Sequence, residues 1–240
     1  MRILIRFATA LLILFALIEF TGAPDLLSGS AQTQQLDLLI LHGKLVDGSG
    51  NKARKADVGI RGDRIVFVGD ARKANLTAAR TIDATGLVVA PGFIDPHTHT
   101  LGDLSDEKRK SNEAYLMQGV TTVVTGNDGG SAQNISETLT KLEQQGIGTN
   151  AILLAGFGTI RGKVLGPTDA QPDVTQLEEM KQLVARAMDE GAFGLSTGLY
   201  YAPQSYSKTE EVIELSKVAA AKGGVYDTHM RSESAGLLDA

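Results

Sequence analysis

The sequence has no cysteine among its 240 residues. This excludes disulfides, thiolate metal ligands, a cysteine nucleophile and a lipid-anchored N-terminal cysteine. It leaves the compartment open, because an exported protein need not carry disulfides. An excess of positive charge is missing too. The net charge is −5 and the basic residues do not gather into a stripe, so nothing here is shaped for nucleic acid. Two common signatures are also absent. Gly156 to Gly162-Lys163-Val164 has the wrong spacing for a phosphate-binding loop and lacks its Ser or Thr, and Ser196 lies in Leu-Ser-Thr-Gly rather than in a Gly-x-Ser-x-Gly elbow. Arg61-Gly62-Asp63 reads as a tight turn rather than as an adhesion triplet.

No apolar run is long enough to anchor the chain. Residues 7–18 are apolar except for Thr9, follow Arg2 and Arg6, and end at Glu19. That is short of the ~20 residues a membrane-spanning helix needs. A positive start, a short apolar core and the small residues Gly29-Ser30-Ala31 make a secretory signal layout, with cleavage expected after Ala31. The expectation is an exported protein, periplasmic or extracellular, with no stable membrane anchor once residues 1–31 are removed.

What is present reads as two kinds of structure. Residues 32–86 predict a small β domain. Residues 36–46 are an apolar run ending at Asp47-Gly48-Ser49-Gly50, residues 57–61 and 65–68 flank a two-residue turn at Gly62-Asp63, and a short strand at 80–83 leads to Thr85-Gly86. Residues 87–240 alternate. Strands are expected at 87–94, 120–125, 150–156, 193–197 and 224–229, and helices at about 106–118, 135–145, 174–189 and 209–221. Alternation of this kind implies a parallel sheet. With no dinucleotide fingerprint, it favours an α/β fold of the (β/α)8 TIM-barrel type. A complete barrel needs eight strands and typically ~250 residues. About five fit here, with residues 234–240 looking like the start of another helix, so the expectation is a truncated barrel.

The most specific feature is Pro91-Gly92-Phe93-Ile94-Asp95-Pro96-His97-Thr98-His99. Alternation along a strand puts Asp95, His97 and His99 on one face, at the C-terminal end where such barrels carry their sites. Two imidazoles two residues apart can grip one divalent ion from one side. Gly126-Asn127-Asp128-Gly129-Gly130 follows the second barrel strand, so Asp128 is either a further ligand or part of a self-contained turn. His229 closes the fifth strand as a further candidate ligand, with Asp227 and Arg231 on the same face by alternation. Arg231 is either a fork for a substrate carboxylate or the partner of Glu233 or Asp227. His42, before a turn in the β domain, is read as structural.

These segments, together with Gly194-Leu195-Ser196-Thr197-Gly198-Leu199-Tyr200-Tyr201 and Thr228-His229-Met230-Arg231-Ser232-Glu233, resemble the amidohydrolase superfamily. Within it they resemble the N-acyl-D-amino-acid deacylases (D-aminoacylases), over nearly all of the chain after the signal. The resemblance implies a zinc metallohydrolase of non-peptide C–N bonds acting on a small molecule, an N-acyl amino acid, with one or two divalent ions. His97, His99 and His229 match its metal ligands. Asp128 falls where the best-known relatives carry a metal-bridging cysteine, a departure that puts a harder donor at the site. Tyr201 matches a tyrosine near the substrate carbonyl, or is a surface loop tyrosine. The histidine after the sixth strand and the aspartate general base after the eighth have no counterpart, so the chain is expected to be inactive alone. Dihydroorotase-like and dipeptidase-like relatives often use a carboxylated lysine on the fourth strand, and residues 193–199 contain no lysine. A non-catalytic metal-binding or interaction fragment remains the alternative of a different class.

Overall fold

A computed structural model describes residues 35–240. The signal-like segment lies outside the described residues. The chain forms two compact units that divide between Val89 and Ala90.

Among the described residues the first unit is all β. Strands β1 (Gln35–Leu41), β2 (Lys44–Leu45), β3 (Arg54–Lys55), β4 (Asp57–Arg61), β5 (Arg64–Gly69), β6 (Thr77–Asp83) and β7 (Val88–Val89) build two sheets, ordered β5-β4-β1-β6 and β3-β2-β7. The hairpin expected at Gly62-Asp63 forms, with Arg61 opposite Arg64 and Gly62 at φ 57°. Leu36, Leu39 and Ala71 make its core. Two expected strands come out divided. The run over 36–46 breaks because His42 takes a left-handed φ of 63°, and β2 then joins the other sheet. The run over 87–94 also breaks. Val88–Val89 pairs with β2, and Pro91-Gly92 separates it from the next strand, so apolarity alone did not reveal the boundary.

The second unit alternates as expected. Its strands are β8 (Phe93–Thr98), β9 (Val120–Thr125), β10 (Asn150–Leu153), β11 (Ala155–Gly156), β12 (Gly194–Gly198) and β13 (Val225–His229). Helices are α1 (Leu101–Leu104), α2 (Glu113–Leu116), α3 (Ile135–Gln145), α4 (Phe157–Leu165), α5 (Val174–Asp189) and α6 (Thr209–Ala221). Every strand pairing is parallel, in the orders β10-β9-β8 and β11-β12-β13. The third barrel strand changes partner at Leu154, whose N–H donates to Thr125 O, so β10 runs beside β9 and β11 beside β12. Five barrel strands thus follow one another in chain order, and β8 and β13 each pair on one side only among the described residues.

Helices α3, α5 and α6 fall where the sequence put them, and α5 shows why. Asp173 accepts from Gln176 N–H and the Gln176 side chain accepts from Asp173 N–H, a reciprocal cap. Its apolar stripe buries Met180 and Val184 completely against Phe157, Leu195 and Leu215. Each such side chain contributes about 1.5–3 kcal/mol. Three expectations need correction. Residues 106–118 form turns and the single turn α2, because Asp106 accepts from Lys108 N–H and Asn112 adopts φ 52°. Residues 234–240 form turns. Helix α4 was not foreseen, since Gly158 and Gly162 weaken helical propensity. Tertiary contacts hold it: Arg161 is fully buried, pairs with Glu211 of α6 (Nε to Oε1, 3.2 Å), and donates to Thr168 O and Ala170 O. Burial pushes the Glu211 carboxyl up, against the pull of Arg161.

Candidate metal centre

The C-terminal ends of β8 and β9 bring three sequence-predicted residues together. Strand β8 loses regular pairing between Asp95 and Thr98, where Asp95 Oδ1 accepts from His97 N–H (3.2 Å). This local turn lets both histidines reach the loop after β9. His97 Nε2 lies 3.4 Å from Asp128 Oδ1, and His99 Nε2 lies 3.3 Å from Asp128 Oδ2. One ligand atom from each of the three can be chosen so that all lie within 4.8 Å of one another. His229, at the end of β13, points Nδ1 at the same Asp128 Oδ1 from 3.9 Å. Thus His97, His99, Asp128 and His229 converge at one mouth.

Asp128 is both ligand candidate and turn residue. Its φ is 56°, between Gly126 at 88° and Gly129 at 72°, so the segment is the tight turn its composition implies. The turn aims the carboxylate inward, where it is only 17% exposed. The two readings left open by the sequence are therefore compatible. Neighbouring elements fix the turn. Gln204, the buried residue of a 3-10 turn after β12, donates from Nε2 to Asp128 O (2.9 Å) and accepts from Gly198 N–H (2.8 Å). Ser196 accepts from Gly129 N–H (3.2 Å) and donates to Gly126 O. Glycine is required at 129, because a Cβ there would run into Gln204 Oε1. Asn127 is buried and makes contacts on both sides of His97, donating to Pro96 O (3.1 Å) and accepting from Thr98 N–H (3.3 Å). Sequence reasoning missed Asn127 and Gln204 as site residues. The only signal for Asn127 was its place beside Asp128, and Gln204 gave none.

Tyr201 lies beside the cluster. Its hydroxyl is 3.4 Å from His229 Nδ1, and the Tyr200 and Tyr201 rings pack against that imidazole with centroids 5.5 and 4.9 Å away. Arg231 behaves differently. Beyond the end of β13 the strand alternation no longer applies, and its guanidinium donates to Ser205 O (3.4 Å) and Ser207 O (2.8 Å). It pairs with neither Glu233 nor Asp227 and lines a groove with Thr209, Val212 and Lys217 of α6. His42 is structural, as read, with Nδ1 3.0 Å from Asp83 Oδ1.

The cluster fits a divalent cation. Asp128 Oδ1 is buried and has no hydrogen-bond partner, since the imidazoles facing it are not in hydrogen-bonding geometry. A buried carboxylate oxygen left unpartnered is costly, and a cation removes that cost. Imidazole nitrogens with one carboxylate suit zinc and similar borderline ions.

Successive parallel strands carrying such a cluster at their C-terminal ends have the layout of the metal-dependent hydrolase barrels. The comparisons narrow this. The chain belongs to the amidohydrolase family, whose model matches residues 80–225. It is 38% identical to a D-aminoacylase of Alcaligenes xylosoxydans xylosoxydans over 234 residues, covering 88% of this chain and 47% of that protein. Among solved structures it matches a D-aminoacylase studied for its binuclear metal centre, with a TM-score of 0.78 and 35% identity, covering 85% of this chain and 47% of the other. It also matches the N-acyl-D-glutamate deacylase of Bordetella bronchiseptica in complex with zinc and a phosphonate inhibitor, with a TM-score of 0.80 and 30% identity over 86% of this chain and 48% of the other. The chain spans about half the length of the curated relatives it matches.

Proposed function

We propose that this protein is a zinc-dependent hydrolase that releases D-amino acids from their N-acyl derivatives. The observation that carries the reading is the unpartnered, buried Asp128 Oδ1 facing His97 and His229. The similarity to D-aminoacylase and N-acyl-D-glutamate deacylase supports the substrate class.

In this reading His97, His99 and Asp128 hold the ion, with His229 completing the cradle. The ion, when bound, supplies Lewis-acid polarisation of the amide carbonyl and activation of water. The chain's own groups do the rest of the positioning. The Asp128 carboxylate offsets cationic charge in a partly closed mouth. Tyr201 presents a hydroxyl beside His229, where it can donate a hydrogen bond to an acyl oxygen. Ser196 and Gln204 keep the Asp128 turn fixed while substrate enters. Arg231, with its guanidinium engaged by Ser205 and Ser207, shapes the β12–α6 connection in this reading; a direct grip on the substrate carboxylate would use its remaining donors. The general base belongs, by the resemblance drawn from sequence, to a later barrel strand. Export is part of the same proposal, supported by Arg2, Arg6 and the apolar residues 7–18.

The test uses protein expressed from the complete gene. It is expected to release amino acid from N-acetyl-D-amino acids, to stop when treated with chelator, and to recover with Zn2+. No release from a panel of D and L N-acyl amino acids, with zinc bound, would refute the substrate assignment.

A further inference from the structure

One carboxylate at the mouth has no part in the reading above. Asp227 lies on β13, two residues before His229, and is partly buried. Its Oδ2 accepts from Asn127 Nδ2 (3.0 Å). Its other oxygen, Oδ1, faces His97 Nδ1 at 3.8 Å and is the only carboxylate oxygen in ion-pair range of that nitrogen among the described residues. The opposite ring nitrogen, Nε2, faces Asp128 Oδ1. His97 therefore stands between two carboxylates, one for each ring nitrogen.

Asn127 makes this arrangement specific. Its amide carries two N–H groups and one carbonyl oxygen. One side chain thus contacts Pro96 O, Thr98 N–H and Asp227 Oδ2: the backbone on both sides of His97 and the carboxylate beyond its ring. Asn127 is 1% exposed, so none of these partners can be exchanged for water without loss. The 3.8 Å separation is longer than a hydrogen bond, so the carboxylate and the ring nitrogen face each other at ion-pair range.

We propose that Asp227 is a positioning residue for His97, accepting from Nδ1–H and so fixing the tautomer that leaves the Nε2 lone pair towards Asp128. The inference rests on the metal-centre reading, and it names what orients one ligand of that centre. A histidine ligand whose other nitrogen donates to a carboxylate is held in one orientation and one tautomer. Neutral imidazole otherwise divides between two tautomers, only one of which has Nε2 free.

The test has a readout that needs no metal. In 15N-labelled protein at alkaline pH, with His97 assigned through a His97→Gln control, the ring is expected to be protonated at Nδ1. Asp227→Asn keeps an oxygen acceptor for Asn127 but loses the charge, and is expected to shift His97 towards the Nε2–H form. Zn2+ affinity, measured by competition with a chromophoric chelator, is expected to fall about 10–100-fold. An Nε2–H ring in the native protein overturns the proposal, and so does a variant with unchanged tautomer and unchanged affinity. If native protein binds no Zn2+ but shows the tautomer shift, the metal reading fails and the positioning role stands. If Asp227→Asn does not fold, the tautomer in the native protein decides alone.

Discussion

Each unit of the chain holds a histidine beside an aspartate, and the two pairings end differently. In the β unit, Asp83 Oδ1 accepts from the Thr85 N–H (3.0 Å) and hydroxyl (2.7 Å) and lies 3.0 Å from His42 Nδ1. Those bonds, from Thr85 first and His42 next, hold the Asp83 carboxyl down to about 2. Both side chains are open to solvent, 61% and 67% exposed. In the barrel unit, Asp128 is 17% exposed and faces His97, His99 and His229, yet its Oδ1 has no hydrogen bond. The first pair is complete as it stands and fixes a turn. In the second, a buried carboxylate oxygen faces imidazoles without a hydrogen bond, which is the basis of the metal-centre proposal. Proximity of His to Asp is common to both; what separates a site from a staple is a buried acceptor oxygen with bonding capacity left over.

The largest expected effect tests that contrast directly. Asp128→Asn keeps the shape and the turn but removes the charge, and zinc affinity should fall by on the order of 100-fold or more, beyond what supporting residues contribute. Zinc content after dialysis, measured by atomic emission, checks it; undiminished zinc would return Asp128 to the same standing as Asp83. A smaller effect is expected for the brace. Gln204→Ala strips partners from Asp128 O and Gly198 N–H, each worth about 1–3 kcal/mol when left buried and unpaired. Urea unfolding should report a loss of about 2–4 kcal/mol on that basis, and a loss under ~1 kcal/mol would show that Ser196 alone holds the turn. The smallest effect belongs to the β unit. The Asp83 pKa is depressed, so its contribution is fully present above the ordinary value of 3.8 and is lost as pH falls through about 2. Asp83→Asn should therefore be less stable than the native protein at neutral pH, and the two should converge as acid approaches the lower value, with zinc content unaltered. Acid-unfolding curves that stay apart below that value would break the contrast from the other side.

The ligand-bearing face was legible because it follows from short-range rules. Alternation along β8, extended one residue past its end to His99, and the position of His229 at the end of β13 put the imidazoles at strand C-termini, and the local turn at Asp95–His97 completes the convergence. Strands β9 and β13 and helices α3, α5 and α6 were legible from β-branched runs and apolar stripes. The supporting groups were not. Gln204 reaches Asp128 from the loop after a different strand, and Asn127 bonds to Asp227 on a strand of the other sheet, so neither leaves a local pattern. Arg231 lies past the last residue of β13, where alternation gives no guide, and its bonds to Ser205 O and Ser207 O leave no local pattern in the sequence. Helix α4 was hidden by its glycines, since the force that holds it, the buried Arg161–Glu211 pair, spans 50 residues of sequence.

The Asn127 amide also sets an order of events. Its bond to Thr98 N–H joins residues 29 apart in sequence, while its bond to Asp227 joins residues 100 apart. Closing the longer loop costs about 1 kcal/mol more in chain entropy than closing the shorter one. The β8–β9 contacts that bring His97 and His99 to Asp128 can therefore form early, from nearby sequence. Asp227 and His229 lie three further strands along the chain, so one half of the mouth draws on nearby sequence and the other half on distant sequence.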